Sequence, residues 1–148
     1  MQTAKLTSTL LALLLTTGCA TGFDAATQQQ DPTGNGRYLE VGEISVQNFV
    51  VVAGTSSSSV LLKIFNDTAQ ADRLIEMTIN NQPVLSDLFI PANTKIAYGN
   101  SSNPALQIQQ ATQPGGYLPV TIEFENAGII ETSVLVVPAV NQYREFAN

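Results

Sequence analysis

Residues 118–137 read Leu-Pro-Val-Thr-Ile-Glu-Phe-Glu-Asn-Ala-Gly-Ile-Ile-Glu-Thr-Ser-Val-Leu-Val-Val, and they have the clearest strand pattern in the chain. Apolar and polar side chains alternate along its first half, which is typical of a strand with one buried face. Asn-Ala-Gly at 126–128 signals a tight turn. The second half, 129–137, has apolar residues at both parities toward its end, as expected of a strand covered on both faces. We therefore predict a β-hairpin whose inward residues are Val120, Ile122 and Phe124.

Short runs rich in β-branched and aromatic residues continue this pattern toward the amino terminus. Turn-forming residues separate the runs, and the serine-rich stretch 54–59 is predicted to be a loop. No sustained apolar stripe has helical spacing. The pattern predicts an all-β Greek-key sandwich of about seven or eight strands. The strands predicted ahead of the hairpin are 44–53, 60–66, 72–80, 84–90, 94–98 and 105–109.

Inward and outward residues are also predicted for two of these strands by period-two alternation. In the strand 60–66, one face holds Val60, Leu62 and Ile64. In the strand 72–80, the predicted buried set is Arg73, Ile75, Met77 and Ile79.

The amino terminus has the pattern of a bacterial lipoprotein signal. A charged start precedes the apolar run 10–15, and small residues then lead to Cys19, the one cysteine of the chain. A membrane-spanning helix needs about 20 apolar residues, so this run is too short for one. The other alternative is a cleaved signal peptide with an incidental cysteine. We predict that acyl chains, palmitate among them, are attached to Cys19 and anchor the protein at the extracytoplasmic face of the cell membrane.

These features divide the chain into a signal peptide, a lipidated cysteine with a flexible linker, a β-sandwich domain and a C-terminal tail. Their predicted bounds are 1–18, 19–40, 41–138 and 139–148. Within the linker, the stretch 37–40 has an alternative, which is pairing onto the domain as an edge strand. Within the tail, Tyr143 and Phe146 are candidates for packing back onto the domain.

Composition restricts the classes of function. The chain contains no histidine, which excludes Ser-His-Asp and Cys-His catalysis and the usual Cys/His zinc sites. Asp and Glu number 12 against 6 Lys and Arg, and removal of Lys5 with the signal leaves 6 − 1 = 5. This balance opposes binding to nucleic acid. We predict no cofactor, no catalytic residue and no metal ligand set.

Several segments together resemble a known family. They are the strand 60–66 ending in Asn-Asp, the Ala-Asp-Arg-Leu at 71–74, the Pro-Gly-Gly at 114–116 and the hairpin described above. In this order they resemble the periplasmic copper chaperones written PCu(A)C. They are still more similar to the histidine-poor lipoproteins of actinobacteria related to that family. The resemblance spans about 43–138 and implies a cupredoxin-like Greek-key β-sandwich.

The resemblance also implies where copper ligands would stand. In copper-binding members a His-Met motif and a later His-x-Met pair hold Cu(I), since thioether sulfur suits this soft ion. Met77 lies near the first position but stands alone, and the second position reads Pro-Ala-Leu-Gln-Ile-Gln at 104–109. We predict that Met77 is a core residue instead.

Two acidic groups remain as candidate sites. Asp67, Asp72 and Glu76 are close in sequence but lack the spacing of an EF-hand, so we interpret them as solvated surface. Glu123 and Glu125 share a strand face, as two glycosidase carboxylates might, although the chain lacks tryptophan as a sugar platform. Charges on an exposed strand also discourage edge-to-edge aggregation, which is the plainer interpretation.

The sequence thus predicts a non-enzymatic binding or structural module of the cell envelope, which binds a protein or a small ligand, or supports an envelope complex, through its loops. Thr55 and the four serines at 56–59 are a candidate flexible recognition tip, and the alternative is a simple linker between two strands. The alternatives are a metal-trafficking protein of the copper-chaperone kind and a hydrolase that uses carboxylates.

Overall fold

The computed structural model describes residues 36–147, which form nine β-strands and one short 3₁₀ helix. Within these residues no helix is long and apolar enough to cross a membrane. The strands are β1 (Arg37–Val41), β2 (Ile44–Val52), β3 (Ser58–Asn66), β4 (Asp72–Ile79), β5 (Gln82–Ile90), β6 (Thr94–Tyr98), β7 (Leu106–Ile108), β8 (Tyr117–Phe124) and β9 (Gly128–Val137), and the helix covers Asn141–Phe146.

The strands form two layers around the main apolar core. One layer has the order β5-β4-β8-β9, and the other contains β2, β3 and β6, with β1 paired to β2 and β7 paired to β3. The end of β9 runs parallel to the end of β2, where Val51 pairs with Val136, so the sheet nearly closes on itself. Pairing between strands distant in sequence, such as β4 with β8, is the Greek-key arrangement. The predicted all-β sandwich is therefore confirmed.

The hairpin predicted from residues 118–137 is confirmed as β8 and β9, which pair antiparallel from Tyr117↔Leu135 to Phe124↔Gly128. Its inward residues Val120, Ile122 and Phe124 are 2%, 0% and 3% exposed. Gly128 follows the turn at φ +104, a backbone conformation that residues with a Cβ rarely adopt. The alternation predicted for Val60, Leu62 and Ile64 in β3 is also confirmed, since all three side chains are buried.

The structure shows residues 37–40 paired onto the domain as part of a strand, which was the alternative to a flexible linker. Residues Arg37–Val41 form β1 and pair with β2, so the sandwich begins at Arg37 and not at the predicted bound of residue 41. Leu39 and Val41 contribute buried side chains to the core, which explains why the strand docks. The predicted signal peptide, Cys19 and the predicted linker up to residue 35 lie outside the described residues.

A β-bulge in β4 changes the predicted set of buried residues. Met77 and Ile79 are buried as predicted, whereas Arg73 is half-buried and Ile75 is 39% exposed. The register of β4 against β8 shifts between Leu74 and Glu76. One extra residue on a strand reverses which parity points inward, so Leu74 and Met77 both face the core.

The serine-rich stretch is shorter as a loop than predicted. Ser58 and Ser59 already belong to β3 and are buried. The Ser58 hydroxyl donates to the carbonyl oxygen of Gln110 at 2.8 Å, and the Ser59 hydroxyl donates to that of Phe146 at 2.9 Å. Two of the five residues of the candidate recognition tip therefore belong to β3, where their hydroxyls hydrogen-bond to segments distant in sequence.

The tail packs back as its two aromatic residues suggested. Tyr143 and Phe146 lie on the 3₁₀ helix and contact a small second core that contains Val50, Val52 and Val137. This contact covers the outer face of β2 and β9. It explains why apolar residues occupy both parities at the end of β9.

Candidate functional site

The position of Met77 shows that this residue fills the core. Its side chain is fully buried, and its strand neighbours are Leu85 on β5 and Ile122 on β8. A thioether in such surroundings is enclosed by apolar groups and has no polar ligand beside it to share an ion. The prediction that Met77 is a core residue is confirmed.

The second segment in which copper ligands were sought forms β7. Ile108 is 1% exposed and belongs to the core, and Leu106 packs against it. Gln107 points outward and donates from its side-chain amide to the Ser59 hydroxyl at 3.2 Å. The chain contains no histidine, and Met77 is the one methionine within residues 36–147. The donor set of the sandwich therefore does not fit a His/Met copper site.

Asp72 differs from the solvated residue that its sequence neighbourhood suggested. It is 7% exposed, whereas Asp67 and Glu76 are exposed, so the three carboxylates do not form one cluster. The Asp72 carboxylate accepts from the backbone N–H groups of Arg73 (2.7 Å), Asn126 (3.0 Å) and Ala127 (2.9 Å) and from the Asn126 side chain (3.2 Å). Asp72 thus fixes the β8–β9 turn against the start of β4.

Asn66 organises the neighbouring loop between β3 and β4. Its side-chain oxygen accepts from the backbone N–H and the hydroxyl of Thr68, at 3.1 and 2.8 Å. Its amide donates to the carbonyl oxygens of Gln70 (2.7 Å) and Pro91 (3.1 Å). The side chain is fully buried, and a buried amide needs such partners to offset its desolvation.

These two networks build a pocket at one end of the sandwich, which we call the Asp72 pocket. Its volume is about 370 Å³, and its walls include Gly42, Glu43, Asn66, Asp72 and Ala127. Gly42 adopts φ +57, and an added Cβ would lie 2.9 Å from the carbonyl oxygen of Ala127. The close approach of this turn to the β8–β9 turn shapes one wall and requires glycine.

The chemistry of the Asp72 pocket favours binding over catalysis. Four N–H groups occupy the Asp72 carboxylate, and a general base or nucleophile needs a lone pair aimed at its substrate. Glu43 is the other carboxylate in the wall and is exposed. Thr68, Gln70 and the loop backbone supply the remaining polar surface, which suits hydrogen bonds to a small polar ligand.

The pair Glu123 and Glu125 lies on open surface. Both side chains are exposed on the outer side of the β5-β4-β8-β9 layer, and Glu125 lies 3.9 Å from the guanidinium of Arg73. Glycoside hydrolysis needs two carboxylates on opposite sides of an enclosed bond. This pair flanks no such cleft.

A second cleft of about 340 Å³ lies on the outer face of β2 and β3, next to the 3₁₀ helix. Lys63, Tyr98 and Tyr143 are among its walls. Burial raises the pKa of the Tyr98 hydroxyl above its ordinary value, so the hydroxyl stays protonated and is a hydrogen-bond donor at neutral pH.

Comparison with known proteins defines the class of fold. No protein-family model matches the sequence, and no curated protein sequence matches it either. Solved structures do match: the architecture of this chain is that of a PCuAC domain, a cupredoxin-like β-sandwich.

Three of these structures match this chain with TM-scores of 0.54 to 0.56. The copper-bound PCuAC domain from PmoF2 has a TM-score of 0.56 and 17% identity, over 69% of this chain and 98% of that domain. The apo PCuAC domain from PmoF1 has a TM-score of 0.56 and 19% identity, over 69% and 99%. The apo PmoF2 domain has a TM-score of 0.54 and 16% identity, over 70% and 96%. The resemblance inferred from the sequence is thus confirmed for the fold.

Sequence reasoning missed the roles of Asn66 and Asp72. Asn66 had a usable signal, because Asn followed two residues later by Thr at the end of a strand is typical of an Asx-turn. Asp72 had none, since its partners Asn126 and Ala127 lie on a turn that only the folded sheet brings near.

Proposed function

We propose that this protein is a membrane-anchored extracytoplasmic lipoprotein whose β-sandwich is a non-enzymatic binding module of the cell envelope. The observation that carries the proposal is that the side chains considered for metal binding or catalysis are buried or already hydrogen-bonded within the sandwich. Met77 is sealed in the core, and the Asp72 carboxylate is held by four N–H donors. What the sandwich offers to the outside is a polar pocket and sheet surface, which are the features of a binding protein.

The anchoring part of the proposal depends on Cys19, at the end of the short apolar run 10–15. We expect the mature protein, purified from the membranes of a bacterium that processes lipoproteins, to begin at Cys19 and to carry the added mass of two or three acyl chains. Two chains hold a protein on a membrane stably, whereas one gives only marginal binding. Mass spectrometry of the amino-terminal peptide measures this.

The matched variant is Cys19→Ala, which we expect to leave an uncleaved precursor or to release the protein. An unmodified amino terminus downstream of residue 19 would contradict the anchor. So would normal maturation and membrane retention of Cys19→Ala.

A copper-chaperone function is the second candidate, because the fold matches a copper-bound domain at a TM-score of 0.56. The donor set of the sandwich opposes it. We expect the full chain, with Cys19→Ser to remove the thiol, to take no Cu(I) from a competing chelator. Met77→Leu, which preserves core volume, is expected to give the same titration curve. Tight Cu(I) binding that Met77→Leu abolishes would favour the chaperone function instead.

A further inference from the structure

The outer surface of the β5-β4-β8-β9 layer combines apolar and acidic side chains. Five large apolar side chains are exposed within residues 36–147, and four of them lie on the outer side of this layer. Tyr117 (63%) lies at the far end of β8, and the other three lie among carboxylates: Ile75 (39%), Phe89 (55%) and Ile129 (63%). Five exposed carboxylates surround them. We call this surface the acidic face, and its carboxylates are Glu76, Asp87, Glu123, Glu125 and Glu131.

The strand register places these residues next to one another. Glu76 pairs with Glu123 across β4 and β8, and Glu123 pairs with Ile129 across β8 and β9. Directly paired residues of adjacent strands lie on the same side of a sheet. One row across the layer therefore presents two carboxylates and an exposed isoleucine. In the next row Phe89 pairs with Arg73, whose guanidinium lies 6.0 Å from the phenyl ring centre.

Basic residues are segregated from the acidic face. Arg73 is the one Lys or Arg on β4, β5, β8 and β9, and it forms an ion pair with Asp87. Lys63 and Lys95 lie on the opposite layer, in β3 and β6. Neither Glu76 nor Glu123 forms an ion pair with another described residue.

The pairing of Glu76 with Glu123 opposes folding, because like charges directly opposite each other on adjacent strands repel. Protection against edge-to-edge aggregation does not account for it. β4 and β8 are interior strands, each with a neighbour on both sides, whereas such protection operates at sheet edges. A single chelated ion does not account for it either, since within residues 36–147 no three acidic side chains group as metal ligands would.

We propose that the acidic face is a docking surface for a protein partner that presents Lys and Arg side chains around exposed apolar ones. Cations of the partner neutralise the Glu76–Glu123 pair and the surrounding carboxylates, while Phe89, Ile75 and Ile129 are removed from water by its apolar side chains. Interfaces of this kind combine an apolar centre with a charged rim, and the charges set the association rate and its salt dependence. The proposal rests on the proposed function, of which it names the partner class.

The test uses the full chain purified from membranes in non-ionic detergent, with detergent alone as the blank. The probe is a synthetic peptide in which lysine alternates with leucine. We expect Glu76→Gln/Glu123→Gln to weaken binding about tenfold, and 0.5 M salt to weaken binding of the unmodified chain similarly. The matched control, Glu40→Gln/Glu145→Gln, removes two exposed carboxylates outside the acidic face and outside the Asp72 pocket and is expected to stay within about twofold.

A second peptide, with serine in place of leucine, tests the apolar part and is expected to bind at least tenfold more weakly. The thermal midpoint of Glu76→Gln/Glu123→Gln is expected to equal or exceed that of the unmodified chain, because a repulsion is removed. Equal losses from the face variant and the control, or equal binding of both peptides, would overturn the proposal. Acylation of Cys19 is read separately by mass, so failure of docking and failure of anchoring are distinguishable.

Discussion

Replacing Asp72 by alanine is expected to lower the free energy of unfolding by about 3–4 kcal/mol. The substitution leaves three backbone N–H groups and the Asn126 amide without their acceptor in a site that is 7% exposed. Each buried donor left unpaired costs about 1–3 kcal/mol, moderated where water enters the Asp72 pocket. Urea unfolding, followed by the shift of the midpoint at constant slope, measures the loss.

Two variants sharpen this measurement. Asp67→Ala removes an exposed carboxylate from the same loop and is expected to change the stability by less than about 0.5 kcal/mol. Asp72→Asn keeps one acceptor but places an amide N–H against a backbone N–H, so its loss should fall between the other two. Equal effects of Asp72→Ala and Asp67→Ala would show that the carboxylate does not hold the β8–β9 turn.

Replacing Phe49 by alanine is expected to lower the free energy of unfolding by about 3–5 kcal/mol. Phe49 is fully buried and belongs to the main core. Removal of its ring creates a cavity that rigid strands on both sides cannot fill, so the transfer free energy and the cavity term add. The measurement is again the urea midpoint, with thermal unfolding as a second probe.

Phe89→Ala is the matched control for Phe49→Ala, because it removes the same ring from a site that is 55% exposed. Its expected cost is below about 1 kcal/mol, including the loss of the contact with Arg73. A loss for Phe49→Ala no larger than that for Phe89→Ala would contradict the assignment of Phe49 to the core.

Regular alternation made the fold class predictable from the sequence, and bulges limited the detail. The strands whose period is unbroken, such as β3 and β8, have the predicted residues inside. In β2 the register shifts between Gln47 and Val50, with Asn48 at φ +52, so Val46 and Phe49 face the core three positions apart. Simple alternation cannot predict which residues point inward after such a bulge. The position of the bulge depends on packing with other strands, which the local sequence does not show.

The candidate site was less predictable than the fold, because its hydrogen bonds join residues that are far apart in the sequence. Asp72 meets Asn126 and Ala127 only because β4 pairs with β8, and nothing in the local sequence of Asp72 marks that encounter. Asn66 reaches Pro91 across the loop that follows β5 in the same way. The lack of the His/Met donor pairs of copper-binding PCu(A)C domains, in contrast, is visible in the composition, because the sequence contains no histidine.

The parallel contact between Val51 and Val136 has a consequence for the order of events in folding. Strand β2 lacks its neighbour β9 until almost the whole domain has been synthesised. Contacts between residues so far apart in sequence form slowly. A partly translated chain therefore stays open and threadable. For the export that we propose, late completion of the sheet keeps the polypeptide unfolded and competent for transport until its carboxyl-terminal strand is available.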